Sequence, residues 1–245
     1  MHVCVSYSHT HKAFAEDFFF KSFPFEKGLS LVIEQVPQRC KSGDLFSKGW
    51  RTQMIEKQIF INKYLNLFKD SEVVLFSDVD IKFYGKIKED LTSRVEDKDI
   101  CFMKDHNSDV VGRCGGFFVV KNSIKIKSFF QEVMATLSSR DESSEDVSFE
   151  TSEQSTINNL LNERPEVSWS YLPERYYTHG LYTKGIKNFS AEDQSGLWWQ
   201  NKSWEEKSNI YVPDDILVHH ANWCGGIDNK TNLLNWVSEI VESRG

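Results

Sequence analysis

The sequence predicts an α/β fold in which a mostly parallel sheet is flanked by helices. Two observations support this class. Short, β-branched segments alternate with helix-compatible segments, and segments such as VVLF at residues 73–76 are apolar at every position. Strands without a polar face are typical of sheets that helices cover on both sides. With 245 residues, of which 40% are hydrophobic, the chain can bury one sizeable core.

The first half of the chain contains most of the predicted strands. β-branched and aromatic residues indicate strands, and apolar residues at helical spacing indicate helices. The predicted strands cover residues 2–7, 29–36, 72–77, 99–104 and 117–121, and the predicted helices cover residues 11–20, 48–68 and 86–94. Ser47 is the predicted N-cap of the second helix. The glycine pair at residues 115 and 116 is expected to precede the last of these strands.

In the second half, a helix is predicted over residues 123–137 with Ser123 as its N-cap, and another begins near Ser152. Residues 138–154 are polar and acidic, and we interpret their early part as a surface loop. Further strands are predicted at 167–172 and 216–220, followed by an amphipathic helix at 231–243. No internal repeat is visible, and we expect a single domain over residues 1–245.

Charge and composition exclude several functions. Lys and Arg total 29 against 36 Asp and Glu, so the net charge is −7, which argues against a nucleic-acid partner. No apolar run approaches the roughly 20 residues of a membrane-spanning helix, and the first residues lack a signal-peptide pattern. We therefore expect a soluble, cytoplasmic protein without an integral membrane segment. A catalytic domain excised from a longer lumenal protein is the alternative.

The chain has five cysteines, which are scattered and form no CxxC pair. This pattern argues against a disulfide scaffold or a zinc ribbon. Reduced, mostly buried thiols in a reducing compartment are the expected state, and a catalytic cysteine is the less favoured alternative.

Two carboxylates directly follow the apolar strand at residues 72–77. Ligands of parallel sheets bind at the carboxyl ends of strands, where Asp78 and Asp80 are placed. Carboxylate oxygens suit Mg²⁺ or Mn²⁺, and a cation held there would neutralise a departing diphosphate. The alternative is a polar strand end in which one aspartate caps a turn.

A second candidate segment lies near the carboxyl end of the chain. His219 and His220 close a short strand, and strand alternation directs one of them toward the strand-end site. A neutral imidazole is a suitable third ligand beside two carboxylates. Glycine backbone and a lysine can hold a phosphate group. The residues that follow the histidines and offer these groups are Asn222, Gly225, Gly226 and Lys230. The alternative is one core histidine and one surface histidine.

Four segments in this order resemble the nucleotide-diphospho-sugar transferases of the GT-A glycosyltransferase fold. They are VVLFSDVDIKFY (73–84), GGFFVVKNS (115–123), EQSTINNLL (153–161) and HHANWCGGIDNK (219–230). The resemblance extends over nearly the whole chain and is greatest to the retaining, metal-dependent branch that includes glycogenin-like and plant wall α-glycosyltransferases. It implies a GT-A-type, Rossmann-like domain with a mostly parallel mixed sheet. Residues 1–121 would bind the nucleotide sugar, and residues 122–245 would bind the acceptor and carry the terminal metal and phosphate segment.

The resemblance also implies roles for individual residues. Asp78 would face the ribose or the metal, Asp80 would bind the metal, and His220 would be the third protein ligand. Lys230 would contact the donor phosphates. Residues implied in donor binding are Tyr7, Ser8, Lys57, Asp78, Gly115, Gly116, Asn222 and Gly226.

The chain departs from the family pattern at two places. The family commonly has Asn-Ala-Gly or Asn-Thr-Gly before the FFVV strand, whereas this chain has Cys114 followed by two glycines. The sugar contacts of that asparagine are therefore in question. The Asp-Gln pair of the family appears here as Glu153 and Gln154.

The implied reaction transfers a sugar from a nucleotide diphosphate to a hydroxyl of a glycan, glycoprotein or other acceptor, with Mn²⁺ or Mg²⁺ bound. In a retaining enzyme, the leaving phosphate takes the acceptor proton, and Glu153 or Gln154 would stabilise the cation-like sugar. An inverting enzyme would need a general base. The candidates for that base are Asp105, Asp109 and Glu153.

Aromatic residues in the second half are candidates for acceptor binding, because aromatic faces stack on sugar rings. The alternative is that they pack irregular chain onto the sheet. The residues concerned are Trp198, Trp199, Trp204, Tyr176, Tyr177 and His179.

Other functions remain as alternatives. A sugar nucleotidyltransferase usually has a glycine-rich basic loop after the first strand, and this chain has SYSHTHKAF there. A phosphatase of the haloacid dehalogenase type carries its DxD near the amino terminus, with a small hydroxyl residue where this chain has Lys82. A non-catalytic sugar- or nucleotide-binding protein of the same fold is the alternative from a different class.

Overall fold

A six-stranded sheet forms the centre of the molecule. The structure is a computed structural model that describes residues 1–43, 47–105, 112–140, 152–178, 212–222 and 226–245. The strands of this sheet are β1 (His2–Tyr7), β2 (Ser30–Gln35), β3 (Val73–Ser77), β5 (Ile100–Lys104), β6 (Arg113–Lys121) and β7 (Trp169–Tyr171). A three-stranded sheet contains β4 (Ile81–Phe83), β8 (Tyr176–Thr178) and β9 (Val218–His220).

The large sheet has the order β2-β1-β3-β6-β5-β7. Strand β1 pairs in parallel with β2 and β3, and β5 pairs in parallel with β7. Strand β6 is antiparallel to both of its neighbours, β3 and β5. The predicted α/β class with a mostly parallel, mixed sheet is therefore confirmed.

Helices cover both faces of this sheet. Short helices α1 (Lys12–Phe14) and α2 (Phe20–Ser22) are joined by a π-helical turn at Ala15–Phe19. The longer helices are α3 (Trp50–Leu67), α4 (Lys88–Arg94), α5 (Ile124–Ser138), α6 (Glu153–Glu163) and α7 (Ile227–Glu242). Residues of β1 alternate between two cores, as the two-residue period of a strand requires. Val3 and Val5 join the core under α4, α7 and the small sheet, whereas Cys4 joins the core under α3, α5 and α6.

One predicted helix cap and one predicted helix start are confirmed, and one predicted cap is wrong. The side chains of Ser123 and Ser152 accept hydrogen bonds from backbone amides in the first turns of α5 and α6. Ser47 does not cap α3, because the helix begins later and Gly49 occupies the N-cap position with φ = 86°. A side chain at Gly49 would collide with the carbonyl of Arg39, so this close approach of two loops requires glycine.

Three further predictions need correction. Gly115 and Gly116 do not precede their strand but lie inside β6, whose first residue is Arg113. Strands β4 and β8 are absent from the predicted elements, since each has three residues and is too short for a periodic pattern. Tyr176 and Tyr177, candidates for acceptor binding, are 2% and 0% exposed and pack in the core, which confirms the packing alternative.

The described cysteines at positions 4, 40, 101 and 114 are buried and form no disulfide, in agreement with the expected reduced thiols. In the parts of the chain that the structure describes, no helix has the length and apolar character needed to cross a membrane.

The carboxylate of Asp99 connects the start of β5 to two neighbouring segments. It accepts hydrogen bonds from the amide and hydroxyl of Ser168, both at 2.8 Å, and from Lys125 at 2.7 Å. Burial opposes ionisation, but Lys125 and Ser168 outweigh it and lower the pKa of Asp99 below its usual value. The ionised form therefore stabilises the fold.

We predict that Asp99→Asn lowers the free energy of unfolding by about 1 kcal/mol at pH 7. A lowered folded pKa means that the stabilisation is present above the unfolded pKa of about 3.9 and is lost as pH falls through the folded value. Urea unfolding at pH 7 and at about pH 3 measures this difference, which should shrink at the lower pH. Asp97→Asn, two residues away and exposed, is the control and should have little effect. A difference that is unchanged at low pH would contradict the prediction.

Candidate functional site

Two carboxylates and one imidazole converge at the end of β3. Suitable ligand atoms of Asp78, Asp80 and His220 all lie within 4.8 Å of one another. Nε2 of His220 is 3.3 Å from Oδ1 of Asp80 and 3.8 Å from Oδ2 of Asp78. Two carboxylates and one imidazole form a donor set that suits Mn²⁺ or Mg²⁺. The residues thus fit a divalent cation, and we interpret the cluster as a candidate metal centre.

Strand pairing brings these residues together. Strand β4 begins directly after Asp80 and pairs antiparallel with β9, so that Ile81 lies opposite His220. The backbone of Ala221 donates to the carbonyl of Asp80 at 2.9 Å. As strand alternation predicts, one histidine faces the carboxylates, while the ring of His219 packs at a tilt of 31° against Tyr177, with centroids 5.4 Å apart.

A glycine of β6 makes room for the cluster. The amide of Asp78 donates to the carbonyl of Gly116 on β6 at 2.7 Å. A Cβ atom at Gly116 would collide with the carboxylate of Asp78 and would lie 2.5 Å from Cε1 of His220. The ligands can therefore approach one another only because position 116 has no side chain.

Two lysines neutralise the carboxylates. Nζ of Lys57, on α3, lies 2.8 Å from Asp78 Oδ1 and 3.3 Å from Glu153 Oε2, and it donates to the carbonyl of Gly115 at 2.9 Å. Lys230, on α7, forms an ion pair with Asp80. Buried carboxylates require such partners, so the lysines stabilise the site while no cation is bound.

The pKa values of these groups show how strongly the charges interact. Burial disfavours ionisation of Asp80, yet Lys230 and His220 hold the pKa of its carboxyl well below the usual value. Burial likewise disfavours the charge on Lys57, but Asp78 and Glu153 raise the pKa of its ammonium group. For Glu153, burial is the larger effect and raises the pKa of the carboxyl despite the neighbouring Lys57. The site therefore combines a firmly ionised carboxylate, Asp80, with a carboxyl group that is easier to protonate, Glu153.

A network of amide groups borders the candidate metal centre. Asp105 is fully buried, and its Oδ2 accepts a hydrogen bond from Gln154 at 2.6 Å while its Oδ1 accepts one from Asn222. Oε1 of Gln154 accepts from the amide of Gly115 at 3.2 Å. Because both oxygens of Asp105 accept hydrogen bonds, the geometry does not favour Asp105 as a general base.

A cavity connects this network to the ends of β1 and β2. The predicted donor-binding residues line it, including Tyr7, Ser8, Lys57, Gly115, Gly116, Asn222, Gly226 and Lys230. The lining residues that sequence reasoning did not assign to a site include His11, Gln38 and Trp50. Gln38 follows the end of β2 by three residues, so the strand-end rule applied to that strand would have found it. Trp50 fits the apolar pattern of its helix. The pattern therefore predicts a core residue and gives no sign that Trp50 lines the cavity.

Some candidates lie outside the described residues. These are Asp109, Gly225, His179, Trp198, Trp199 and Trp204, together with the acidic segment 141–151.

The chain belongs to the nucleotide-diphospho-sugar transferase family, because the family model of that description matches residues 37–234. This confirms the resemblance to that family expected from the sequence. No curated protein is similar enough in sequence to count as a match.

Solved structures of glycosyltransferases share the fold, among them the following two. The glycosyltransferase GlyE of Streptococcus pneumoniae TIGR4, in its apo form, is 12% identical with a TM-score of 0.56. The match covers 99% of this chain, which spans only 62% of the length of GlyE. A glycosyltransferase involved in the glycosylation of the major capsid of PBCV-1 is 12% identical with a TM-score of 0.57, over 97% of this chain and 98% of that one. At this identity the likeness concerns the fold alone.

We predict that Gly116→Ala weakens Mn²⁺ binding by at least about tenfold, because the new methyl group separates Asp78 from His220. Gly115→Ala is the matched control on the same strand. Its Cβ would meet its nearest atoms at 3.6–3.7 Å, which is ordinary contact, so Mn²⁺ binding should be retained. Isothermal titration calorimetry with MnCl₂ measures both variants. Equal affinities for Mn²⁺ would show that Gly116 does not control the spacing of the ligands.

Proposed function

We propose that this protein is a metal-dependent glycosyltransferase that transfers a sugar from a nucleotide diphosphate to an acceptor hydroxyl with retention of the anomeric configuration. The observation that carries the proposal is the convergence of Asp78, Asp80 and His220 within 4.8 Å, with Lys57 and Lys230 beside them. A glycan, a glycoprotein or another molecule with a free hydroxyl would be the acceptor.

The candidate metal centre would bind Mn²⁺ or Mg²⁺ through Asp78, Asp80 and His220. A cation bound there supplies positive charge to a diphosphate on which negative charge develops as it departs. This role suits residues at the carboxyl end of a strand, where ligands of parallel sheets bind.

Lys230 would assist the same departure. Its ammonium group now pairs with Asp80, and a cation bound to that carboxylate would leave Lys230 to contact the donor phosphates. Lys57 would stay with Asp78 and Glu153 and hold the wall of the cavity in place. Each lysine thus has a partner before the donor binds.

The donor sugar would lie beside Gly115 and Gly116, facing Gln154. The side-chain amide of Gln154 is oriented from two sides, by Asp105 and by the amide of Gly115. A carboxamide held in this way can stabilise positive charge on the sugar without acting as a base. Glu153 is 3% exposed and bonded to Gln58 and Lys57, which makes it poorly suited to accept the proton of an acceptor. These contacts favour retention over inversion.

Both halves of the chain contribute to the proposed site. Tyr7, Ser8 and Lys57 come from residues 1–121, which we propose to bind the nucleotide. Gln154 and Lys230 come from residues 122–245, which would bind the acceptor and the phosphates. Donor binding would therefore connect the two halves.

We predict that one nucleotide of a panel of UDP, GDP and CMP raises the melting temperature, and does so only when Mn²⁺ is present. A ligand at 100 times its Kd stabilises the native state by about 2.7 kcal/mol, which corresponds to several degrees for a chain of this length. Thermal unfolding in the presence of each nucleotide and its common sugars, with and without Mn²⁺, measures the shift.

Asp80→Asn should abolish this metal-dependent shift, with each variant compared with its own ligand-free melting temperature. Asp97→Asn, which is exposed and remote from the cavity, should keep it. If no nucleotide stabilises the wild type under any metal condition, the proposed function is wrong and the non-catalytic alternative is favoured.

With the donor identified, we predict that Gln154→Ala lowers kcat by about tenfold to a hundredfold and changes the donor KM little, because the contact acts on the reacting sugar. NMR of freshly formed product should show the anomeric configuration of the donor. An inverted product would reject the retaining mechanism while leaving the glycosyltransferase proposal intact.

A further inference from the structure

The side of His220 that faces away from the carboxylates contacts a cysteine. Nε2 of His220 points at Asp80, while Nδ1 lies 3.5 Å from Sγ of Cys114 on β6. Cys114 is 1% exposed, so water does not compete for this contact. The imidazole is therefore held between a carboxylate on one nitrogen and a sulfur atom on the other.

The sulfur itself is fixed in position. It accepts a hydrogen bond from the amide of Gly116 at 3.3 Å and lies 3.9 Å from Nδ2 of Asn222. Cys114 lies near the start of β6, a strand that pairs with β3 at residues 117–121 and with β5 at residues 113 and 118–120. Donors that point at the sulfur make it an acceptor at this site, although thiols are weak acceptors in general.

The chemistry of imidazole explains what the contact between His220 and Cys114 can do. A histidine that binds a metal through Nε2 must carry its ring proton on Nδ1, and that proton needs an acceptor that also sets the orientation of the ring. Cys114 is the partner that the described residues offer to Nδ1. The sulfur is not one of the clustered ligand atoms, so it lies behind the histidine rather than at the metal.

We propose that Cys114 is a positioning residue of the candidate metal centre. Its sulfur accepts the Nδ1–H group of His220 and so directs Nε2 toward the cation that Asp78 and Asp80 bind. This proposal rests on the proposed metal-dependent function. It assigns a task to the cysteine that stands where related chains commonly have asparagine, and it requires no chemistry of the thiol group.

The test measures the binding of Mn²⁺ alone to the whole chain, by the electron paramagnetic resonance signal of free Mn²⁺. Cys114→Ala should weaken binding by about tenfold to a hundredfold, the usual effect of removing a partner of a metal-binding histidine. Cys114→Ser keeps an acceptor near Nδ1 and should bind Mn²⁺ with an affinity closer to the wild type than to Cys114→Ala. Asp80→Asn identifies the fraction of bound Mn²⁺ that belongs to this site.

Cys101→Ala is the matched control. Cys101 is a fully buried cysteine on the adjacent strand β5, and its sulfur contacts the carbonyl of Arg94 and the hydroxyl of Ser170, away from the cluster. Its replacement leaves a comparable cavity, so it should lower the melting temperature as Cys114→Ala does while Mn²⁺ affinity stays unchanged. If Cys114→Ala lowers the Mn²⁺ affinity and Cys101→Ala does not, the loss of affinity cannot be caused by a cavity in the core.

The outcomes separate the two proposals. If the wild type binds Mn²⁺ and Cys114→Ala binds it equally well, or if Cys101→Ala weakens binding as much, the role of Cys114 is wrong and the metal-dependent function stands. If the wild type binds no Mn²⁺ that Asp80→Asn removes, the metal-dependent function is overturned, and the role of Cys114 with it. Weakened binding by Cys114→Ala and recovery by Cys114→Ser support the proposal.

Discussion

The pairing of β4 with β9 is the constraint on which the candidate site depends. These three-residue strands lie outside the large sheet, yet their register places the end of the DxD segment against His220. The two segments are separated by more than half of the chain. The backbone bond from Ala221 to Asp80 continues the pairing beyond the last strand residue. Without this small sheet, the carboxylates would have no imidazole beside them, and α7 would not present Lys230 to Asp80.

Charge balance is the second constraint on the site. Asp80 and Glu153 are almost fully buried, and such carboxylates destabilise a fold unless cations or hydrogen-bond donors compensate them. Here Lys57 and Lys230 provide that compensation from helices on opposite faces of the sheet. The fold can therefore keep its acidic residues close together before a cation or donor arrives. Under the proposed function, ligand binding would exchange one set of ionic partners for another.

The large sheet is predictable from the sequence because several of its strands are apolar on both faces, as VVLF is, and such short apolar runs are typical of buried strands. The orientation of one histidine of the pair at 219 and 220 toward the carboxylates is predictable too, since alternation is a local property. Predictions that depend on distant contacts are less successful. Ser47 resembles a cap, but Gly49 takes that position because Arg39 approaches there. Strands β4 and β8 are too short to have a pattern, and the bonds of Asp105 join residues from three segments.

The reversed direction of β6 has a consequence for how related proteins can diverge. Its neighbours β3 and β5 end at the cavity, whereas β6 begins there. Residues 114–116 therefore border the cavity, and residues 117–120 continue into the two cores. A single strand thus combines an end that faces ligands with an interior that packing constrains. Packing is tight even at the cavity end, because Cys114 belongs to the core on the side of the small sheet and a Cβ atom at Gly116 would collide with Asp78. Divergence at residues 114–116 therefore has to preserve packing as well as ligand contacts, and Cys114 is a departure of this kind from the asparagine that the resemblance implies.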